Sequence, residues 1–362
     1  MQGMNPLPPV DPDIAHAKTL DKRFYTENTW QAAARECIFL PSWQWVGNAS
    51  ELIAERNCRP VDLLPGCLDE PLLLTRSGEA IHCLSNVCTH RGNILVGAAC
   101  HATHLRCRYH GRRFGMDGRF LSMPEFQEVC EFPSPADDLP SLPLHRWGDL
   151  LFTTLGPHPA QRFLREMQER LSWLPLDDFQ FQPDRSSTFL VQAHWALYCE
   201  NYLEGFHIPF VHAGLNAVID YGSYRTELFE WSNLQLGFAK PGEPCFDIPA
   251  DSPDAGTAVA AYYFFVFPNM MFNFYPWGLS LNIVEPQGES QTRVRFLTYV
   301  WKEALFNKGA GAGLDAVEME DEAVVEQVQR GIRSRLYQHG RFSVTREQGT
   351  HHFQRMITAS LG

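Results

Sequence analysis

The chain has 362 residues, which is long enough for about two domains, because one hydrophobic core rarely grows beyond roughly 250 residues. Its 30 basic and 42 acidic residues give a formal net charge of −12, which disfavours nucleic acid or an anionic membrane as a partner. Ten cysteines in a chain of this length are too few for a disulfide scaffold, so we expect a reducing compartment.

The N-terminal segment, residues 1–40, is polar and does not begin with a basic stretch followed by an apolar one. It therefore lacks the pattern of a secretory signal, and we expect a cytoplasmic protein. A short amphipathic helix is predicted near Trp30 to Phe39.

Residues 41–156 consist of short runs bounded by Gly, Pro, Asp and Asn. The stretch MDGRF contains Asp117-Gly118, a pair that is typical of a tight β-hairpin turn. These signals predict an all-β domain.

Two Cys/His pairs stand sixteen residues apart in this domain, Cys88-Thr-His90 and Cys107-Arg-Tyr-His110. A structural zinc site is the alternative, but zinc fingers usually take two Cys from one loop and two His from a helix. Here each loop supplies one Cys and one His. That set suits a two-iron, two-sulfide cluster in which the thiolates hold one iron and the imidazoles hold the other.

Helical and strand patterns mix from residue 157 onward. Helix-like stretches lie near 159–172, 193–207 and 314–338, and strand-like stretches lie near 258–301. The run between Thr257 and Tyr275 has no charged residue, but Pro268-Asn269 interrupts it. This run predicts two strands around a turn and argues against a membrane span.

Two histidines, His207 and His212, flank a proline in YCENYLEGFHIPFVHAGL. Glu204 lies one helical turn before His207, so Asn201, Glu204 and His207 are expected to share one helix face. A mononuclear non-haem Fe(II) site takes two His and one carboxylate and leaves positions open for dioxygen. The two histidines are therefore candidate iron ligands.

The third ligand is expected in the helical stretch LDAVEMEDEAVVEQVQRGI. Its apolar stripe comprises Val317, Val324, Val328 and Ile332. Asp321 is the acid within this stripe, and a carboxylate on an apolar face is costly unless a partner such as iron balances its charge. The other acids are expected to point elsewhere, mostly to solvent: Asp315, Glu318, Glu320, Glu322 and Glu326.

The spacing C-x-H-x16-C-x2-H, the two later histidines and Asp321 followed by V-Q-R-G resemble the catalytic α-subunit of Rieske non-haem iron oxygenases. The resemblance covers residues from about 40 to 355. It implies an α+β protein with an N-terminal all-β Rieske domain at 41–156. A helix-grip (START-like) catalytic domain with an antiparallel sheet is expected at 157–362.

The resemblance also implies the cofactors. A Rieske [2Fe-2S] cluster would be held by Cys88, His90, Cys107 and His110. Mononuclear Fe(II) would be held by His207, His212 and Asp321.

Three positions distinguish this chain within the Rieske proteins. Respiratory members carry an extra Cys in each loop, at positions that match Asn93 and Tyr109 here, so the resemblance is to the oxygenase type. The oxygenase loop usually continues with a Trp where this chain has Arg112. We interpret Arg112 as a packing change that leaves the ligands untouched.

The family implies a homotrimer in which the cluster of one chain lies beside the iron of its neighbour. Glu204 matches the acid that bridges the two sites, and we expect Glu204 and Asn201 to serve catalysis. The glycine run at 309–313 lacks the G-x-G-x-x-G spacing and is interpreted as a flexible loop. A separate flavin/iron–sulfur reductase is therefore expected to supply electrons from NAD(P)H.

The expected reaction is hydroxylation or oxidative dealkylation of a small organic substrate with O2, as a mono- or dioxygenase. A quaternary amine is slightly favoured, and ring hydroxylation of an aromatic compound stays open. Alternation predicts that about half of one group of aromatic residues face the iron: Tyr262, Phe264, Phe267, Phe272, Phe274, Tyr275 and Trp277. Two other functions stay open, a Rieske electron carrier and a zinc-stabilised binding protein without oxygenase activity.

Overall fold

The structure is a computed structural model that describes residues 6–157, 159 and 161–362. It separates into two compact units. One is Trp43–Pro157, and the other joins the described residues before Trp43 to those after Pro157. The N-terminal segment thus packs with the C-terminal part of the chain.

Two helices and a π-helical turn, Arg35–Phe39, form the N-terminal segment. The helices are α1 (Arg23–Thr26) and α2 (Asn28–Ala34). The predicted helix near Trp30 to Phe39 is therefore confirmed, although its second half winds more widely than an α-helix.

The unit Trp43–Pro157 is all-β apart from short 3₁₀ turns, as predicted. Its strands are β1 (Gln44–Asn48), β2 (Cys58–Leu63), β3 (Glu70–Ser77), β4 (Ala80–Ser85), β5 (Leu105–Arg106), β6 (Arg113–Phe114), β7 (Phe120–Ser122), β8 (Ser141–Leu142), β9 (Leu144–Trp147) and β10 (Leu150–Thr153). They form three antiparallel sheets in the orders β1-β10-β9, β2-β3-β4-β8 and β5-β6-β7. The pair β6 and β7 encloses Asp117-Gly118, which confirms the predicted hairpin.

The second unit is built on one eight-stranded antiparallel sheet. Its helices are α3 (Gln161–Arg170), α4 (Trp195–Tyr202), α5 (Ile208–Val211), α6 (Ala213–Val218), α7 (Leu314–Ile332) and α8 (Gln348–Leu361). Its strands are β11 (Gln180–Phe181), β12 (Ser187–Val191), β13 (Arg225–Leu228), β14 (Ser232–Phe238), β15 (Val259–Val266), β16 (Met270–Tyr275), β17 (Gly278–Pro286) and β18 (Thr292–Val300). The sheet order is β11-β18-β17-β16-β15-β14-β13, and β12 also pairs with β18.

The central strands β15 to β17 are buried along their whole length, which their nearly uninterrupted apolar sequence requires. Strands β15 and β16 turn at Phe267-Pro268-Asn269, so the predicted pair of strands is confirmed. Helix α4 packs on β17 and also contacts α7 and α8. Among the described residues, no helix is both long and apolar enough to cross a bilayer.

The predicted helix over 193–207 is too long. Helix α4 ends at Tyr202, and Gly205 follows in a tight turn, where a Cβ atom would approach the Tyr224 ring to 2.7 Å. Helix α7 likewise ends at Ile332, before the predicted 338. For the stretch 159–172, α3 spans Gln161–Arg170, and residues 158 and 160 lie outside the described residues.

Candidate metal centres and substrate cavity

Two loops with the same turn present the four cluster candidates. In the first loop the N–H of Gly92 donates to the carbonyl of Cys88, and in the second the N–H of Gly111 donates to the carbonyl of Cys107. Both glycines have positive φ, +69° and +78°, a conformation that side chains with a Cβ rarely adopt. Each loop therefore places a Cys and a His at its tip.

The donor atoms of the two loops converge. The rings of His90 and His110 have centroids 4.7 Å apart, and the thiols of Cys88 and Cys107 are close enough for each to shift the pKa of the other. The Nδ1 atoms of both histidines are buried without a hydrogen-bond partner, which is costly in a protein interior unless a metal binds them. The set of two thiols and two imidazoles from facing loops fits a Rieske cluster.

The two thiols differ electrostatically. Burial raises the pKa of the Cys88 thiol. Burial acts in the same direction on Cys107, but the N–H groups of Tyr109 and His110 outweigh it and lower the pKa of this thiol. Asn93 adds a donor, since its Nδ2 lies 3.7 Å from Sγ of Cys107. The loops thus supply hydrogen bonds that stabilise negative charge on sulfur.

Arg112 is a buried cation behind the second loop, with only 2% of its side chain exposed. It donates to Oδ1 of Asp137 at 2.7 Å, and its guanidinium lies 5.0 Å from the ring centre of Phe120 and 5.5 Å from that of Phe132. The departure from Trp therefore replaces an aromatic ring by a charge held among aromatic rings.

Three groups from separate segments form the second candidate metal centre. His207 precedes α5, His212 follows it, and Asp321 lies on α7. Nε2 of His212 lies 3.2 Å from Nε2 of His207 and 3.0 Å from Oδ1 of Asp321. Nε2 of His207 lies 3.6 Å from the same Oδ1, so the three atoms form a triangle. Among the described residues, these three are the group of His, Cys, Asp or Glu side chains whose ligand atoms lie close enough together to bind one metal ion. Two imidazoles and one carboxylate fit Fe(II).

A carboxylate lies within hydrogen-bond distance of the Nδ1 atom of each imidazole. Nδ1 of His207 lies 2.6 Å from Oε1 of Glu204, and Nδ1 of His212 lies 2.7 Å from Oε2 of Glu320. Both rings thereby turn Nε2 toward the triangle. Asn201 donates to Oδ1 of Asp321 at 2.6 Å.

Glu204 reaches His207 by a route that differs from the predicted one. The two residues share no helix face, because α4 ends before Glu204. Instead Glu204 caps the following turn, where Oε2 accepts the N–H groups of Phe206 and His207. A carboxylate at such a turn can also reach the imidazole.

The expectation that five acids of α7 avoid the site is wrong for Glu318 and Glu320. Glu320 contacts His212, as described above. Glu318 is 3% exposed and accepts a hydrogen bond from Tyr198 at 2.5 Å, while its Oε1 is buried without a partner. Burial raises the pKa of Glu318 to about 8. The buried stripe of α7 runs through Glu318, Val325, Gln329 and Ile332, and Val328 is 45% exposed.

A cavity adjoins the triangle of His207, His212 and Asp321. Aromatic side chains from five segments line it: Tyr198, Tyr202, Tyr224, Tyr263, Tyr275 and Phe296. Glu318 also lines it. Alternation predicts that about half of seven aromatic residues face the iron, but of those seven only Tyr275 lines the cavity. The pleat sends Tyr262, Phe264, Phe272 and Phe274 to the other face.

The glycine run at 309–313 is ordered against this region. Gly309–Gly311 forms a 3₁₀ turn, and a Cβ atom on Gly311 would lie 2.2 Å from Nε1 of Trp277. Close packing accounts for the glycine there, so the interpretation of this run as a flexible loop is wrong for Gly309–Gly311.

Two family models match the chain. The Rieske [2Fe-2S] domain matches residues 42–133, and the catalytic domain of the ring-hydroxylating alpha subunit matches residues 176–362, about half of the chain. The chain belongs to this family. It is a Rieske non-haem iron oxygenase with an N-terminal Rieske domain and a mixed helix and antiparallel-sheet catalytic domain, as predicted.

Several characterised proteins are similar along their length. A chloroplastic choline monooxygenase of Beta vulgaris is 28% identical, over 96% of this chain and 77% of that protein. The carnitine monooxygenase oxygenase subunit of Escherichia coli is 26% identical, over 94% of this chain and 93% of that protein. A solved quaternary ammonium Rieske monooxygenase in complex with L-carnitine has a TM-score of 0.78 at 22% identity. The match covers 99% of this chain and 100% of that one. This last likeness shows the fold.

Proposed function

We propose that the chain is the oxygenase component of a Rieske system that oxidises a quaternary amine. The observation that carries the proposal is the triangle of His207, His212 and Asp321 beside a cavity walled by tyrosine rings. The names of the similar choline and carnitine monooxygenases support the same substrate class. An electron carrier would need no such triangle, and a zinc-stabilised binding protein would need no Rieske domain.

Seven side chains would hold the cofactors. Cys88, His90, Cys107 and His110 would hold the cluster, and His207, His212 and Asp321 would hold mononuclear Fe(II). When bound, the iron supplies dioxygen activation and the cluster supplies electrons, one at a time. Asn201 holds the carboxylate of Asp321 in place, which keeps that ligand from turning away.

The tyrosine rings are suited to a quaternary ammonium group. Each aromatic face attracts a cation with roughly 0.5–2 kcal/mol, and the attraction is greatest where water is excluded. Tyr263 and Tyr275 are 8% and 4% exposed, so the faces they offer are largely dry. Their rings contact each other edge to face, with centroids 5.9 Å apart, which restricts the ring positions.

The active assembly is proposed to be a homotrimer. Next to Glu204, a second cavity is rimmed by Val328 and Tyr337, which are 45% and 37% exposed. An apolar rim of this kind suits contact with another subunit. Glu204 would there link His207 to a cluster histidine of the neighbouring chain, and a separate reductase would deliver electrons from NAD(P)H. The cytoplasmic location stays a prediction.

The test uses the purified protein loaded with iron and cluster, together with a surrogate reductase. Oxygen uptake and NADH use are measured with choline, carnitine and glycine betaine, and with benzoate and salicylate as aromatic acids. Uptake that depends on an amine, with formation of an oxidised or dealkylated product, is expected. Uptake with the aromatic acids and none with the amines would overturn the proposal. Zinc without iron in the purified protein would favour a binding protein.

A further inference from the structure

Glu318 has a position and an environment that the metal centre does not explain. It lies three residues before Asp321, so the two carboxylates share a face of α7 about 4.5 Å apart along the helix axis. Its Oε2 accepts the hydroxyl of Tyr198, but Oε1 has no partner although the residue is 3% exposed and lines the cavity. A buried carboxylate oxygen without a partner costs more than one kcal/mol unless a ligand satisfies it.

The charge of the cavity wall points to the missing partner. All the residues that line the cavity belong to the described part of the chain, and none of them is Lys or Arg. Its histidines are the two proposed iron ligands. An anionic group entering this cavity would therefore meet Glu318 without a side-chain cation to balance it, whereas a cationic group would balance Glu318 directly.

Another part of the cavity wall is polar but neutral. Ser280, Asn282 and Gln235 line it, and Ser280 donates to Oδ1 of Asn282 at 2.9 Å. Such groups can hydrogen-bond a hydroxyl without supplying the full positive charge that a buried carboxylate requires. The cavity thus combines one buried acid, several aromatic faces and a neutral polar end.

We propose that Glu318 is the counter-ion of the substrate's ammonium group and restricts the enzyme to cationic amines that carry no carboxylate. This inference rests on the proposed function and narrows its substrate class. With the ammonium beside Glu318, one helical turn from Asp321, a carbon bonded to the nitrogen lies toward the triangle. Carboxylated amines such as glycine betaine are disfavoured, because their negative end meets neither Lys nor Arg in the cavity wall.

Three probes separate charge from shape. Choline is cationic, 3,3-dimethylbutan-1-ol has the same shape with a neutral carbon in place of nitrogen, and glycine betaine adds a carboxylate. Dissociation constants are measured by calorimetry on the iron-loaded and cluster-loaded protein without oxygen. We compare wild type with Glu318→Gln, which still accepts the Tyr198 hydroxyl, and with the matched control Asp315→Asn, an exposed residue of α7.

Wild type should bind choline at least about tenfold more tightly than either other probe, which is the effect of about 1.4 kcal/mol. Glu318→Gln should weaken choline binding by about tenfold and change binding of the neutral alcohol less than about twofold. Asp315→Asn should change neither constant. Equal losses for choline and the alcohol in Glu318→Gln, equal wild-type affinities for choline and glycine betaine, or no binding of choline would each overturn the inference.

The outcome is distinguishable from failure of the proposed function. Choline binding that depends on Glu318, without oxygen uptake for any amine, would leave the counter-ion assignment standing and remove the oxidation proposal. Amine oxidation that Glu318→Gln does not alter would leave the oxidation proposal standing and remove the counter-ion assignment. If Glu318→Gln does not fold, as its lost cluster spectrum would show, the three wild-type constants decide, since they need no substitution.

Discussion

Asp321 reaches the histidine nitrogens from a different helix, so the second metal centre closes only when α7 packs on the segment around α4. Asn201 at the end of α4 binds the same carboxylate, and Glu204 and Glu320 hold the imidazoles from behind. The centre is thus fixed by polar contacts between elements as well as by its ligands. Loss of one ligand should empty it without unfolding the protein.

Asp321→Ala should lower the iron content from about three to about two per chain, because the four proposed cluster ligands are unchanged. Iron analysis and the visible spectrum of the cluster give the measurement. Asp315→Asn, on the same helix, is the control and should keep all the iron. Full iron and full activity in Asp321→Ala would transfer the third ligand to another acid, with Glu318 the first to test.

Arg112 should raise the reduction potential of the cluster, because a buried cation stabilises the reduced, more negative form. Its charge acts on both Cys88 and His90, where it favours the thiolate and the neutral imidazole. Arg112→Met also leaves Asp137 without its cation. The potential of that variant should fall by roughly 40 mV, the equivalent of about 1 kcal/mol for one electron.

A redox titration followed by electron paramagnetic resonance measures this change. Arg112→Lys keeps the positive charge and should stay near the wild-type potential. If the potential of Arg112→Met is unchanged or higher, the charge of Arg112 does not tune the cluster.

At the scale of elements, α1, α4 and α8 meet at a carboxylate. Tyr25 donates to Oε1 of Glu200 at 2.6 Å, and Gln354 donates to the Tyr25 hydroxyl at 3.1 Å. Glu200 lines a cavity, so part of its surface is accessible although it lies deep in the unit. Burial raises its pKa from the ordinary 4.5 to about 7.

This pKa shift predicts a pH-dependent stability. Between pH 4.5 and 7 the folded protein binds more protons at Glu200 than the unfolded chain does, so stability is lost as the pH rises through that window. The contribution is up to about 3 kcal/mol. Glu200→Gln has no proton to lose at this position. The difference between its thermal unfolding midpoint and that of wild type should therefore shift in favour of the variant as the pH rises from 4.5 to 7. An exposed substitution, Glu27→Gln, should track wild type. A constant difference between Glu200→Gln and wild type would contradict the assignment.

At the scale of the whole molecule, the proposed trimer gives Glu204 a second partner. The mass in solution should be about three times 41.3 kDa, which light scattering measures. Glu204→Gln should keep cluster and iron but slow oxidation of the reduced cluster by substrate and oxygen by at least about tenfold. Its side chain can still accept a hydrogen bond, so the loss would reflect charge.

Single-turnover absorbance of the cluster gives that rate. Lost iron in Glu204→Gln would assign Glu204 to metal binding, and an unchanged rate would remove its role in coupling. A monomer that turns over at the full rate would contradict the trimer itself.

The amino-acid sequence by itself determined the cluster loops and the family. Cys88 and His90, like Cys107 and His110, lie within a few residues of each other, and a glycine with positive φ closes each turn. Such local geometry depends little on the rest of the fold, so residue spacing alone predicts it. Helical periodicity placed Asp321 on a predicted apolar stripe of α7, but that stripe was wrongly drawn, since Val328 is 45% exposed and Glu318 is buried.

Only the tertiary structure decided which side chains surround the substrate. Whether Glu318 faces water or a cavity depends on the elements packed against α7, and no period within the helix contains that information. The same holds for the sheet. Alternation predicts that Tyr262 and Tyr263 point to opposite faces, but the packing of helices on the sheet decides which face lines the cavity. The charge of the site arises from residues far apart in the chain, since burial and proximity are properties of the packed molecule.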